Sequence, residues 1–211
     1  MGPPREVAAF CDFNGTIVDR DMLDYLASTT DKRTESAPLP NERGHRADIA
    51  RRAKALTLDR ADAERRIEDG IHFDESFVPF IAACEEVGIE LVVLTSGIQS
   101  LVERYLLRRG IRLPIIGNEA NMNRSGWVVK FRDESVAGID KRRYVERAIE
   151  AGKKTIVIGD DRSDFEAALV ASSIFAKAGS ELKRFLDVRD LPYHPFSSFA
   201  EILERWPPKT W

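Results

Sequence analysis

Three stretches of the chain climb through apolar, largely β-branched residues and stop on a polar cluster. "EVAAFCDF" runs into Asp12, "ELVVLTSG" into Thr95 and Ser96, and "KKTIVIGDD" into Asp160. Short apolar runs of this kind suit strands buried on both faces, as in a parallel sheet. Helical patterns separate them. "ESFVPFIAACEEVG" precedes the second strand and ends on Gly88, "QSLVERYLLRRG" follows it and ends on Gly110, and "KRRYVERAIEAG" precedes the third and ends on Gly152. Glycine just past the last periodic residue is a helix stop, because it accepts the left-handed backbone that closes the final turn. Strands alternating with helices predict an α/β fold built on a doubly wound parallel sheet. Ligands in such sheets sit outside the carboxyl ends of the strands, which is where all three polar clusters fall.

The remaining pattern is weaker. The polar stretch Thr29 to Arg46, with two prolines, reads as a loop. "ADIARRAKALTL" and "DRADAERRIEDG" read as two short helices, the second capped by Asp59, whose carboxylate can accept an otherwise unpaired N–H. Thr30 to Ile71 thus form a small helical insert after the first strand. This divides the chain into an α/β core (residues 1–29 and 72–211) and a helical cap (residues 30–71). "GWVVKF" reads as a ribbon strand after a turn at Asn123 to Gly126, "SSIFAK" as a further strand, and "SSFAEILERW" as a closing helix begun by Ser197 or Ser198.

Composition narrows the function. With 211 residues and 43% hydrophobic positions the chain can bury a sizeable core. Its net charge of -3, from 32 basic and 35 acidic residues, argues against a general nucleic-acid binder. No apolar run approaches the roughly 20 residues of a membrane span, and no leader pattern is visible, so a cytoplasmic protein is expected. Cys11 and Cys84 sit in apolar surroundings and read as buried free thiols. His72 and His194 lack a second ligand at metal spacing and read as structural. Trp206 and Trp211 flank a Pro-Pro pair and read as packing or tail.

Taken singly, the polar residues have bland explanations. Asp12 suits a turn, "DDRSD" a solvated helix start, and Ser96 a cap. Their joint placement at three strand ends, with Lys141 opening a helix, changes the weighing. Carboxylates crowded together repel, and a hard divalent cation such as Mg²⁺ resolves that cost while leaving room for a phosphate.

"DFNGT", "LTSG", Lys141 and "GDDRSD" resemble, in order and spacing, the four motifs of the haloacid dehalogenase superfamily of phosphatases. The insert is similar to the small cap of its phosphoserine phosphatase branch. The ending "DLPYHPFSSFAEIL" is more similar to the methionine-salvage phosphatase acting on a phosphorylated methylthio-keto-enol. The resemblance implies a phosphatase of a small phosphorylated metabolite, with Asp12 as the nucleophile that becomes an aspartyl-phosphate. It implies that Ser96 and Gly97 bind phosphoryl oxygens and that Lys141 bridges Asp12 and the phosphate. It also implies that Asp12, the main-chain carbonyl of Asn14 and Asp160 hold Mg²⁺, with Asp164 behind them. Asp21 and, in the cap, Arg52 match positions that contact substrate in that branch. Their bland readings are a helix cap for Asp21 and a solvated charge for Arg52.

Asn14 departs from the family pattern D-x-D-G-T. The residue at that place normally protonates the leaving oxygen and later deprotonates water, and an amide does neither. Two readings stay open: an inactivating replacement of aspartate, or a native residue of a non-catalytic phosphometabolite-binding protein or a phosphotransferase.

Overall fold

The computed structural model describes residues 6–30 and 46–207. Seven strands form: β1 (Val7–Cys11), β2 (Glu90–Ile98), β3 (Ile115–Asn121), β4 (Val128–Lys130), β5 (Lys154–Gly159), β6 (Ser173–Lys177) and β7 (His194–Phe196). The helices described are α1 (Met22–Ser28), α2 (Arg46–Ala55), α3 (Arg60–Gly70), α4 (Phe77–Glu86), α5 (Gln99–Arg108), α6 (Lys141–Glu150), α7 (Phe165–Ala168), α8 (Glu181–Val188) and α9 (Phe199–Leu203). The sheet order is β4-β3-β2-β1-β5-β6-β7. β1 pairs in parallel with both β2 and β5, β6 in parallel with β5 and β7, and β4 runs antiparallel to β3.

The expected doubly wound order is therefore present, and it places the site. The chain leaves β1 to build one side of the sheet and returns to the other side at β5. Register sets Cys11 opposite both Val93 and Ile158, so the carboxyl ends of neighbouring strands lie level. The winding reverses beyond the end of β1, the place where ligands of such sheets generally sit.

Contacts gather the chain into two compact units, one of Met1–Ile17, Phe73–Leu94 and Lys141–Trp211, the other of Val18–His72 and Thr95–Asp140. In the first, β1 and β5 bury nearly every side chain, with Ala9, Cys11, Ile156 and Ile158 fully enclosed. An aromatic cluster ties α4 to α9: the Phe77 and Phe199 ring centroids lie 4.8 Å apart, and those of Phe80 and Trp206 4.6 Å. Trp206 is thus packing, as expected, whereas Trp211 lies outside the described residues. Both cysteines are free and buried.

In the second unit two helix starts form for the reason the sequence offered. Asp21 accepts the N–H of Asp24 at 2.7 Å to cap α1, and Asp59 accepts that of Asp62 at 2.9 Å to cap α3. The Trp127 indole is buried and donates to the Leu58 carbonyl at 2.7 Å, so the ribbon is pinned to the segment between α2 and α3. Of the polar stretch expected as a loop, residues 31–45 lie outside the described ones.

Three elements carry no expectation above. β3 has a glycine and two asparagines in seven residues, and β7 is three residues long, so neither shows an apolar run. α8 was readable: Ser180 accepts the N–H of Lys183, and Leu182 and Leu186 stand at i,i+4 on its buried face. The closing helix starts after Ser198 rather than Ser197, and the Ser198 side chain makes no capping bond.

Candidate active site

The backbone N–H of Asp12 donates to the Ile158 carbonyl at 2.8 Å, so the β1–β5 pairing reaches one residue past the strand and sets Asp12 at the carboxyl end of the sheet. The chain then turns, with the N–H groups of Thr16 and Ile17 both donating to the Phe13 carbonyl. Gly15 is required here on two counts. Its φ of +84° belongs to the left-handed region, and a Cβ would stand 2.3 Å from Oδ2 of Asp160. The glycine lets the Asp12 turn and the Asp160 carboxylate approach closely.

At the end of β5, Asp164 turns back on its own strand. Its Oδ2 accepts the N–H groups of Asp160 (3.1 Å) and Asp161 (3.3 Å), and its Oδ1 accepts a bond from Nζ of Lys141 at 2.8 Å. The same ammonium donates to Oδ1 of Asp12 at 2.5 Å. Lys141, Asp12 and Asp164 are each 2–4% exposed, so this ion cluster is removed from water. Asp160 is oriented separately, its Oδ1 accepting the hydroxyl of Thr16 at 2.8 Å. One oxygen from each of Asp12, Asp160 and Asp164 falls within 4.8 Å of the others.

Electrostatics in this cluster are short of positive charge. Burial pushes the Asp12 carboxyl well above its ordinary range; Lys141 opposes this, while Asp164 and Asp160 add to it. Burial, with Asp161 and Asp164 beside it, pushes Asp160 up to about 8. Asp164 is raised as well, first by burial and against the pull of Lys141. Burial also works against the Lys141 ammonium, but Asp12 and Asp164 outweigh it and hold the lysine protonated. Two buried carboxylates thus share one cation, and the half-buried Asp160 stands beside them. The donors are all oxygen, closely grouped and mutually repelling, which fits a hard divalent cation of the Mg²⁺ type.

Asn14 is half-buried in the turn between Asp12 and Gly15. Its amide presents no titratable proton.

The other expected residues belong to the second unit. Ser96 is half-buried near the end of β2, its carbonyl accepting the Asn118 amide at 2.7 Å. The Gly97 N–H is directed at Oγ1 of Thr95, 3.0 Å away, and Thr95 is fully buried, so its hydroxyl serves the strand locally. Arg52 is 3% exposed and meets three carboxylates: Asp21 at 3.2 Å, Asp24, and Asp48 at 2.9 Å. Burial opposes its charge, and Asp21, Asp24 and Asp48 more than offset that, raising it above its ordinary range. Arg51 is a third exposed and pairs with the other oxygen of Asp48 at 2.6 Å. Asp21 therefore caps α1 and touches Arg52 at the same time.

Two partners of Arg52 carry no expectation from the sequence: Asp24 and Asp48. Only Asp48 left a signal, its i,i+4 spacing to Arg52 on one helix face.

Residues 9–169 match the haloacid dehalogenase-like hydrolase family. Among similar proteins, Pdp3-interacting factor 1 of Schizosaccharomyces pombe is 27% identical, the match covering 96% of this chain and 95% of that one. Polyol phosphate phosphatase PYP1 of Saccharomyces cerevisiae is 26% identical, with 92% and 90% covered. The 2-hydroxy-3-keto-5-methylthiopentenyl-1-phosphate phosphatase of Microcystis aeruginosa is 23% identical, with 92% and 95% covered. In fold the chain is similar to a crystal structure of phosphoserine phosphatase in its apo form, with a TM-score of 0.73 at 18% identity over 95% of this chain and 98% of that one.

Proposed function

Because the chain belongs to the haloacid dehalogenase-like hydrolase family, we propose that it is a Mg²⁺-dependent phosphatase of a small phosphorylated metabolite, impaired at Asn14. The observation that carries this reading is the buried cluster in which Lys141 joins Asp12 to Asp164 while Asp160 stands within the same few ångströms. The Asp12 carboxylate attacks phosphorus, the bond from phosphorus to the leaving alcohol oxygen breaks, and an aspartyl-phosphate forms. Water then attacks that phosphorus, releasing inorganic phosphate and restoring Asp12. Lys141 opposes the burial that raises Asp12 and stays beside the transferring oxygens, where its charge stabilises the transition state more than the ground state. Asp12, the Asn14 carbonyl and Asp160 would hold Mg²⁺, with Asp164 behind them; when bound, the ion supplies further neutralisation of the phosphoryl group. Ser96 and Gly97 enter as phosphate contacts through the motif alone. At Asn14 neither the leaving alkoxide nor the attacking water finds a proton partner, a deficit worth roughly 10²–10⁴-fold in rate.

The alcohol part of the substrate is proposed to be uncharged and hydroxyl-bearing. A polyol phosphate phosphatase stands among the similar proteins. Arg52 is engaged by three carboxylates, so reading a substrate carboxylate would require it to abandon them. Residues 30–71 act as the cap, and the setting is cytoplasmic; among the described residues no helix is long and apolar enough to cross a membrane.

The test is turnover by the Asn14→Asp variant on a panel containing polyol phosphates, phosphoserine and a phosphorylated keto-enol. Activity should rise by about two to four powers of ten, greatest on the uncharged alcohols, with affinity little changed. No turnover of any ester would sink the phosphatase reading. The amide at position 14 favours a second reading, a non-catalytic phosphometabolite binder or a phosphotransferase, which predicts ester binding or transfer to an acceptor other than water in both forms.

A further inference from the structure

Lys177 ends β6 and has no place in the chemistry above. β6–β7 register sets it directly opposite Phe196, and its Nζ lies 5.1 Å from the centre of that ring. From there it donates to the main-chain carbonyl of Thr16 at 3.1 Å. Thr16 is fully buried, and its hydroxyl donates to Oδ1 of Asp160 at 2.8 Å. The backbone of Asp160 is held in turn, its carbonyl accepting the Leu182 N–H at 2.8 Å. A lysine gripped by an aromatic face thus fixes a threonine, and the threonine turns a carboxylate.

We propose that Lys177, acting through Thr16, is a positioning residue that aims the Asp160 carboxylate at the divalent cation. This rests on the metal reading of the preceding section. A hydroxyl has one proton to donate, and giving it to Oδ1 stops rotation of the Asp160 carboxylate. Oδ2 then faces the gap beside Gly15, where a Cβ would stand 2.3 Å from it. A lysine is suited to this task because it donates to a main-chain carbonyl and leaves the Asp160 carboxylate for the cation. The plain alternative is a lysine that merely holds a loop. Partners that orient metal ligands typically contribute 10–100-fold to metal affinity, whereas a loop tether changes stability alone.

The experiment is calorimetric titration of the full chain with Mg²⁺ alone, beside thermal melting without metal. Lys177→Met should weaken Mg²⁺ binding by about tenfold, and Lys177→Arg should restore it to within a few-fold. Thr16→Val should weaken it similarly and Thr16→Ser recover it. Since both act on one carboxylate, the double variant Lys177→Met with Thr16→Val should bind no more weakly than Thr16→Val alone. Lys177→Gln, which keeps a donor, serves if the methionine variant does not fold. A Lys177→Met protein that melts earlier yet binds Mg²⁺ as the unaltered chain does would overturn the proposal. So would effects that multiply in the double variant. Absence of Mg²⁺ binding in the unaltered chain would overturn the metal reading as well.

Discussion

Two clusters in this molecule have the same composition and opposite characters. Each gathers three aspartates about one buried cation. In the second unit Arg52 reaches Asp21, Asp24 and Asp48 with a fork of donors, and Arg51 adds a second contact to Asp48. In the first unit Lys141 touches Asp12 and Asp164, while Asp160 accepts the neutral Thr16 hydroxyl. The difference follows from side-chain chemistry: guanidinium is planar with five donors, ammonium is a compact point charge. The arginine cluster is closed on itself and so serves as structure. The lysine cluster is left in need of positive charge, and that deficit fits the cation proposed for it.

The largest effect expected from this contrast concerns rate. In the Asn14→Asp background, Asp12→Asn should lower kcat by roughly 10⁴–10⁶-fold, as removal of a nucleophile does, whereas Asp48→Asn should leave kcat within about tenfold. Stopped or steady-state assays on one substrate decide it, and a comparable loss from both would erase the distinction drawn here. Next in size is stability. Arg52→Leu removes a 3% exposed cation that meets Asp21, Asp24 and Asp48, and should cost about 3–5 kcal/mol in urea unfolding. A loss below about 1 kcal/mol would mean that the cluster is looser than its distances imply.

A smaller effect separates the two clusters by ligand. Mg²⁺ at 100 times its dissociation constant should stabilise the unaltered chain by about 2.7 kcal/mol. Asp160→Asn should lose most of that gain, and Arg52→Leu, if it folds, should keep it. Metal stabilisation that vanished in the arginine variant would place the cation in the wrong cluster. Smallest of all is the exposed pair between Arg65 and Asp62, whose arginine side chain is 66% exposed. Arg65→Ala should leave the urea midpoint unmoved, because surface ion pairs trade attraction against side-chain entropy and screening.

How much was legible differs between the same two regions. Asp12, Lys141, Asp160 and Asp164 were readable because each stands where an apolar run ends or a helix begins. Thr16 and Lys177 were not, since a hydroxyl and a lysine acquire meaning only from the atoms they face. In the second unit Asp48 and Arg52 share a helix at i,i+4, but Asp21 and Asp24 come from α1, some thirty residues earlier, and no spacing rule announces that meeting. Arg52, matched to a substrate-reading position, was found already occupied.

The sequence by itself determined the parallel α/β core, the strand ends that carry acid, the caps Asp21 and Asp59, and the anomaly of Asn14. The first three depend on local periodicity or on a residue's own chemistry, and the last on the motif that the chain resembles. Tertiary structure decided which carboxylates share a cation, which way Asp160 turns, and that β3 and β7 join the sheet at all. Those outcomes depend on register and on distances between residues far apart in the chain. A strand of three residues or a lone hydroxyl carries no local pattern strong enough to specify them.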